Sequence, residues 1–371
     1  MKKILSIALA SALTCSVVMA KEIKVGAVMP MSGPLAAYGQ VTNLGVELAN
    51  KLQPTLKNGD TIKIVLLDNK GDKVETANAT TRLISSDNVV AILGALTSTN
   101  TAQTIAIADK KQIPVIASVA TNDKLTEKRE FANRVCFTDS FQGEVVANFA
   151  KDQGYKTAVV IVDQSQVYSL GLSKAFDQAF KKNGGKIVKT IKITSGDKDF
   201  KAVVSQIKET NPDFMFLPLY HPEASMIARQ SKQLGLDKPM FSGDGVANQT
   251  FIDLGGDSVN GYMFTDFFDY TNPPSQKSAD FVAYHEKETG NKEMNSFTAL
   301  GADTYNVLID AMNRCEDPTN SICINEQIKK TTAFDGVSGK ITINNEGNAT
   351  RSAVIKEIKD GKAVFKATVN P

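Results

Sequence analysis

Histidine is nearly absent from this chain. Its 371 residues include only His221 and His285. There is no H-E-x-x-H, no C-x-x-C and no G-x-S-x-G, so the zinc-peptidase, dithiol and serine-hydrolase chemistries lack their carrying residues. Neither the glycine-rich dinucleotide fingerprint nor the phosphate-loop pattern occurs. No enzyme activity, cofactor or metal site is expected. Long apolar runs are equally scarce, since only Ile4 to Val18 forms one, and it is short for a membrane span. It follows Met1-Lys2-Lys3 and precedes Val18-Met19-Ala20, which is the pattern of a secretory signal covering 1–20, cleaved after Ala20. Cys15 leaves a lipoprotein alternative open, although Ala12-Leu13-Thr14 is a poor approach to a lipidated cysteine.

Net charge is missing too. Removing the two lysines of the leader leaves 42 − 2 = 40 basic residues against 40 acidic ones. A neutral chain without a basic run excludes nucleic acid and anionic membrane surfaces as expected partners. Three of the four cysteines lie beyond the leader. Cys315 and Cys323 flank a polar, turn-rich Glu-Asp-Pro-Thr-Asn-Ser-Ile, which in an oxidising compartment predicts a small disulfide loop. Cys136, in apolar Arg-Val-Cys-Phe-Thr, reads as a buried free thiol.

What the chain does have is a regular alternation. Short continuous apolar runs, among them 23–31, 61–68, 89–96 and 114–120, are separated by amphipathic helical stretches. A second such series starts near 141 and includes strands at 157–162, 186–193, 213–219, 239–242 and 261–268. Strands buried on both faces and joined by helices predict βαβ units and parallel sheets. After 339 the pattern changes to two-residue alternation around Asn345-Glu346-Gly347 and Asp360-Gly361, which predicts antiparallel β-structure at the C-terminus. A mature chain of 371 − 20 = 351 residues suits two domains.

Ligands of open parallel sheets bind at the strand C-termini. Strand 89–96 runs into Leu96-Thr97-Ser98-Thr99-Asn100, and strand 114–120 into Ala120-Thr121-Asn122. Hydroxyls and free N–H groups at such helix starts suit a carboxylate, although each cluster also reads as a plain helix cap. Asp244, between Gly243 and Gly245 at the tip of 239–242, is placed to hold an ammonium, or to serve as a turn residue. Tyr38, Tyr168 and Tyr220 stand at tips or first turns, where they would form an apolar wall with polar edges. A carboxylate site, an ammonium site and an apolar wall together describe an α-amino acid pocket.

The chain also resembles the type I periplasmic binding proteins of the branched-chain amino acid transporter family. The resemblance rests on the order and spacing of Ile23-Lys24-Val25-Gly26, Met31-Ser32-Gly33-Pro34-Leu35-Ala36-Ala37-Tyr38-Gly39, Ile92-Leu93-Gly94-Ala95-Leu96-Thr97-Ser98, Pro114 to Thr121, Gln142-Gly143, Tyr168-Ser169-Leu170-Gly171 and Phe334-Asp335-Gly336-Val337-Ser338-Gly339. It implies an α/β fold of two doubly wound parallel-sheet lobes joined by three hinge strands. The N-lobe would be 21–140 plus 270–348, and the C-lobe 141–269 plus 349–371. It implies that Ser98 and Thr121 hold the ligand carboxylate and that Val119 offers a carbonyl to the ammonium. Tyr38, Leu96, Thr97, Ala120, Tyr168, Tyr220 and Phe297 would complete the pocket. Asp244 stands where branched-chain members usually carry Glu, which also admits an amide, a γ-amino acid or an aromatic acid as ligand. The resemblance further implies delivery of the ligand to an inner-membrane ABC permease; the secretory signal places the protein in the periplasm, a monomer is the default expectation, and a chemotaxis sensor is the competing reading. Finally, Glu346-Gly347-Asn348-Ala349-Thr350 resembles an extended bacterial glycosylation sequon, which makes Asn348 a candidate for modification, or an ordinary surface asparagine.

Overall fold

The computed structural model describes residues 20–371, so the leader and Cys15 lie outside the described residues. Five short strands open the chain: β1 (Glu22–Met29), β2 (Thr61–Asp68), β3 (Ile92–Gly94), β4 (Val115–Ala117) and β5 (Ala132–Arg134). They form one parallel sheet in the order β2-β1-β3-β4-β5. Helices α1 (Ala36–Leu52), α2 (Lys73–Ser85) and α3 (Ser98–Ala108) supply the crossovers. β1, β3 and β4 are almost wholly buried, as their unbroken apolar runs require.

After β5 the chain leaves this sheet. Helix α4 (Asp139–Asp152) leads into β6 (Thr157–Asp163), α5 (Val167–Lys182), β7 (Lys186–Ile193), α6 (Lys201–Thr210), β8 (Phe214–Phe216), α7 (His221–Gln233), β9 (Met240–Ser242), α8 (Gln249–Gly255) and β10 (Met263–Asp266). These strands are mutually parallel. The chain then returns to the first sheet with α9 (Gln276–Thr289), α10 (Ser296–Met312) and α11 (Ser321–Lys329), followed by a small antiparallel sheet of β11 (Phe334–Gly336), β12 (Gly339–Ile343) and β13 (Ala349–Thr350). It crosses a last time to add the antiparallel hairpin β14 (Ala353–Lys359) and β15 (Lys362–Val369), giving the order β15-β14-β10-β9-β8-β6-β7.

Helix α10 lies against α1 at backbone contact. A Cβ on Gly45 would fall 1.9 Å from the Thr298 carbonyl oxygen, and one on Gly301 would fall 2.1 Å from that of Thr42. Only glycine permits this approach.

Three segments pass between the two sheets: 135–138, 267–275 and 351–352. Arg351 ties all three. Its guanidinium donates to the Val135 carbonyl at 3.3 Å, the Phe267 carbonyl at 2.9 Å, and the Ser338 carbonyl and hydroxyl at 3.0 and 2.8 Å. Asp303 in turn accepts from the Val337 and Ser338 amides at 2.5 and 3.0 Å. Nearby, buried Lys356 pairs with Asp266 at 2.9 Å and Asp269 at 3.2 Å. The crossings therefore carry satisfied charges rather than bare apolar packing.

Several strands are shorter than the apolar runs suggest. The run 89–96 yields a strand only at Ile92–Gly94, because Leu96 turns to φ +71°, outside the β region. The run 114–120 likewise gives only Val115–Ala117. The residues beyond stay buried, but as loop.

Candidate functional site

The carboxyl ends of both parallel sheets face one small cavity, about 10 Å³ in this shut form. Its wall holds Tyr38, Leu96, Thr97, Ser98, Val119, Tyr168, Tyr220, Asp244, Gly245 and Phe297. Nine of the eleven residues singled out in the sequence thus meet there. Gly245 was not foreseen. Ala120 and Thr121 stand behind this wall. The Ala120 carbonyl faces away, taken by the Arg134 guanidinium at 3.1 Å and the Cys136 thiol at 3.2 Å. Thr121 is fully buried, and its hydroxyl has no partner.

The first sheet supplies the hydroxyl side. Beyond β3 the backbone bends sharply, and Gly94 has no room for a side chain because a Cβ would lie 2.2 Å from the Val28 carbonyl oxygen. The bend carries Leu96 into the wall and starts α3. Thr97 caps that helix through the Asn100 amide at 3.3 Å. The Ser98 oxygen accepts from the Asn122 amide at 3.3 Å, which leaves its own proton free to donate into the cavity.

The second sheet supplies the carboxylate and two of the tyrosines. Tyr168 lies in the first turn of α5 and Tyr220 caps α7, and their rings stack at 5.0 Å. Tyr38, from α1, leans on Phe297 at 5.5 Å and meets His221 edge-on at 4.9 Å. Burial raises all three phenols well above their usual range, so they remain neutral. Asp244 follows β9. Its carboxylate accepts from the Gln142 amide at 2.8 Å. Burial pushes the Asp244 carboxyl up to about 7; the nearby Asp266 charge adds to this, while hydrogen bonds from Gln142 and Tyr168 oppose it. Among the described residues no cation pairs with Asp244.

The two halves of the wall are hydrogen-bonded to each other. The Tyr38 hydroxyl donates to the Gly245 carbonyl, and the Thr99 hydroxyl donates to Gln166 at 2.9 Å. Asn122 donates to the Val167 carbonyl at 3.0 Å, and Asn295 to the Ala247 carbonyl at 2.9 Å. The cleft is shut. His221, half of the histidine content, is buried at this seam, which lowers its pKa to about 4.

Outside the cavity, Cys315 and Cys323 form a disulfide, and Cys136 is a buried free thiol. Asn348 lies just past the turn between β12 and β13, half-buried, with its side-chain oxygen held by the Thr126 hydroxyl at 2.9 Å. Gln142, Asn122 and His221 were not read from the sequence as site residues. Gln142 stood within a quoted motif, but nothing local marks a helical glutamine as facing a cavity.

Two open parallel sheets closing their carboxyl ends over one buried, polar-and-aromatic cavity define a two-lobed solute-binding fold. The chain belongs to the periplasmic binding protein family, which it matches over residues 22–363. The Leu/Ile/Val-binding protein of Escherichia coli is 28% identical over 336 residues, 89% of each chain. A leucine-binding protein structure from Thermotoga maritima is 36% identical with a TM-score of 0.92, covering 94% of this chain and 99% of that one. A branched-chain amino acid transporter substrate-binding protein from Streptococcus pneumoniae, solved with isoleucine, is 30% identical with a TM-score of 0.87, covering 95% and 100%.

Proposed function

We propose that this chain captures an α-amino acid, most readily leucine, isoleucine or valine, between two closing lobes and delivers it to an inner-membrane ABC permease. The observation that carries this reading is the uncompensated Asp244 carboxylate, which shares one cavity with the Ser98 hydroxyl. A negative group needs an ammonium, a hydroxyl donor suits a carboxylate, and aromatic walls suit an apolar side chain.

The two lobes would be 21–140 plus 270–348, and 141–269 plus 349–371; the sheets support this division except at β13, Ala349–Thr350, which pairs with β12 on the N-lobe side. Ligand lands on Ser98 and the Val119 carbonyl of the open N-lobe, with Thr121 backing them from behind the wall. Closure then adds Tyr168, Tyr220 and Asp244, contacts that exist only in the shut form and so favour it. Leu96, Thr97, Ala120, Tyr38 and Phe297 shape the rest. No bond is made or broken in the ligand. Residues 1–20 are removed on export to the periplasm, where the protein acts as a monomer.

Titration calorimetry on unfolded, ligand-stripped and refolded protein tests this. Leucine, isoleucine, valine, alanine, threonine and γ-aminobutyrate form the panel. Heat from the branched-chain set is the expected result; silence for every α-amino acid overturns the assignment.

A further inference from the structure

Asp244 faces a problem that the cavity wall does not solve. A carboxylate buried without a cation tends to take up a proton and lose its charge. Its surroundings must therefore favour the ionised form without neutralising it. Two side chains meet this requirement, both from the lobe that carries Asp244 itself. Gln142, fully buried on α4, donates its amide to one carboxylate oxygen at 2.8 Å. Tyr168, on α5, directs its hydroxyl to the same carboxylate while accepting from the Gly245 amide at 3.1 Å.

The packing around this frame leaves little freedom. A Cβ on Gly243 would come within 2.4 Å of the Gln142 side-chain oxygen and 2.5 Å of the Tyr168 hydroxyl. A Cβ on Gly143, the neighbour of Gln142, would lie 2.7 Å from the Phe176 amide of α5. Two glycines thus let α4, α5 and the β9 tip close on one carboxylate. The first sheet contributes nothing to the frame, so it stands ready before the cleft shuts.

We propose that Gln142 is a positioning residue that holds the Asp244 carboxylate charged and aimed for a ligand ammonium, and that its neutrality is what reserves that charge for the ligand. The proposal rests on the amino-acid reading above. A lysine or arginine at 142 would pair with Asp244 and compete with the incoming ammonium. An aliphatic residue would leave the carboxylate without a donor and favour its protonated form. An amide avoids both outcomes. The Gln142 hydrogen bond does oppose the upward push that burial exerts on Asp244.

The test compares wild type with Gln142→Met and Gln142→Asn, the second keeping an amide too short to reach. Calorimetry is run from pH 6 to 9 with leucine and with 4-methylpentanoate, the same skeleton without the amino group. The expected result is a loss of leucine affinity of about ten- to hundredfold near pH 7, the scale of a hydrogen bond to a charged group. Part of it returns at higher pH, and 4-methylpentanoate affinity stays unchanged. A merely structural role would weaken both ligands equally and leave the pH profile in place. Either that outcome, or leucine binding equal to wild type in a folded variant, overturns the proposal. Failure of wild type to bind any amino acid would instead overturn the ligand assignment. Should Gln142→Met not fold, Gln142→Asn carries the comparison.

Discussion

The hydroxyl of Tyr38 and the carbonyl of Gly245 join the two halves of the molecule directly, at 2.5 Å, and the same hydroxyl accepts the His221 amide at 3.2 Å. These bonds bridge the two lobes, so opening the cleft must break them. Tyr38→Phe keeps the ring on Phe297 and His221 but deletes both. Each is worth about 1 kcal/mol, so ligand affinity is expected to fall by about thirtyfold. Small-angle scattering of the empty protein should show a larger radius of gyration for the variant. An unchanged radius and affinity would remove the hydroxyl from any part in closure.

Asp244 makes the empty protein sensitive to pH. Its carboxyl is raised from 3.8 to about 7 on folding, so between those values the folded state binds more protons than the unfolded one. Its destabilising effect therefore grows as pH rises through this window and is complete above 7. Asp244→Asn removes it. In denaturant titrations the ligand-free variant should match wild type near pH 4 and exceed it above pH 7 by on the order of a few kcal/mol. Leucine should reverse the ranking, because an ammonium beside the carboxylate favours its charged form. A gap that does not change with pH would refute this account.

Arg351 is the common knot of the three crossings. Replacing it with Met leaves the buried Val135, Phe267 and Ser338 carbonyls without their donor and removes the positive charge near the buried Asp303. The expected loss is about 3–5 kcal/mol, read from urea unfolding. Arg351→Lys should recover little, since a point-like ammonium does not span acceptors on three segments. Full recovery by lysine would show that only the charge matters.

The cysteines report on both folding and processing. Breaking the Cys315–Cys323 bond, which closes a loop of sequence separation 8, is expected to cost about 2–3 kcal/mol. Burial pushes the Cys136 thiol up to about 12, so iodoacetamide should leave it untouched in native protein. In denaturant without reductant, a chain cut after Ala20 gains one label by mass spectrometry. A second label would reveal that Cys15 is retained as a free thiol.

The order of strands and helices was legible because both-face burial writes itself as short apolar runs. The C-terminal hairpin was legible through Asp360-Gly361. Strand ends were not: Ala95, Leu96, Val119 and Ala120 are as buried as the strands they follow. They are buried by the cavity and its backing, not by the sheet. β5 escaped because three residues carry no period. The carboxylate and the tyrosines stood out at strand tips, whereas Gln142 sits on a helix whose neighbours Val145 and Val146 read as ordinary core. Its partner lies 102 residues away, a distance no local pattern spans.

The seating of α10 on α1 has a consequence for how the chain assembles. Residues 36–52 open the first sheet's wrapping, yet the helix that covers them is encoded at 296–312, with five strands of the second sheet, β6 to β10, between. During synthesis α1 emerges long before the helix that packs on it, and that side of α1 stays uncovered until most of the polypeptide exists. Such long-range closure slows folding.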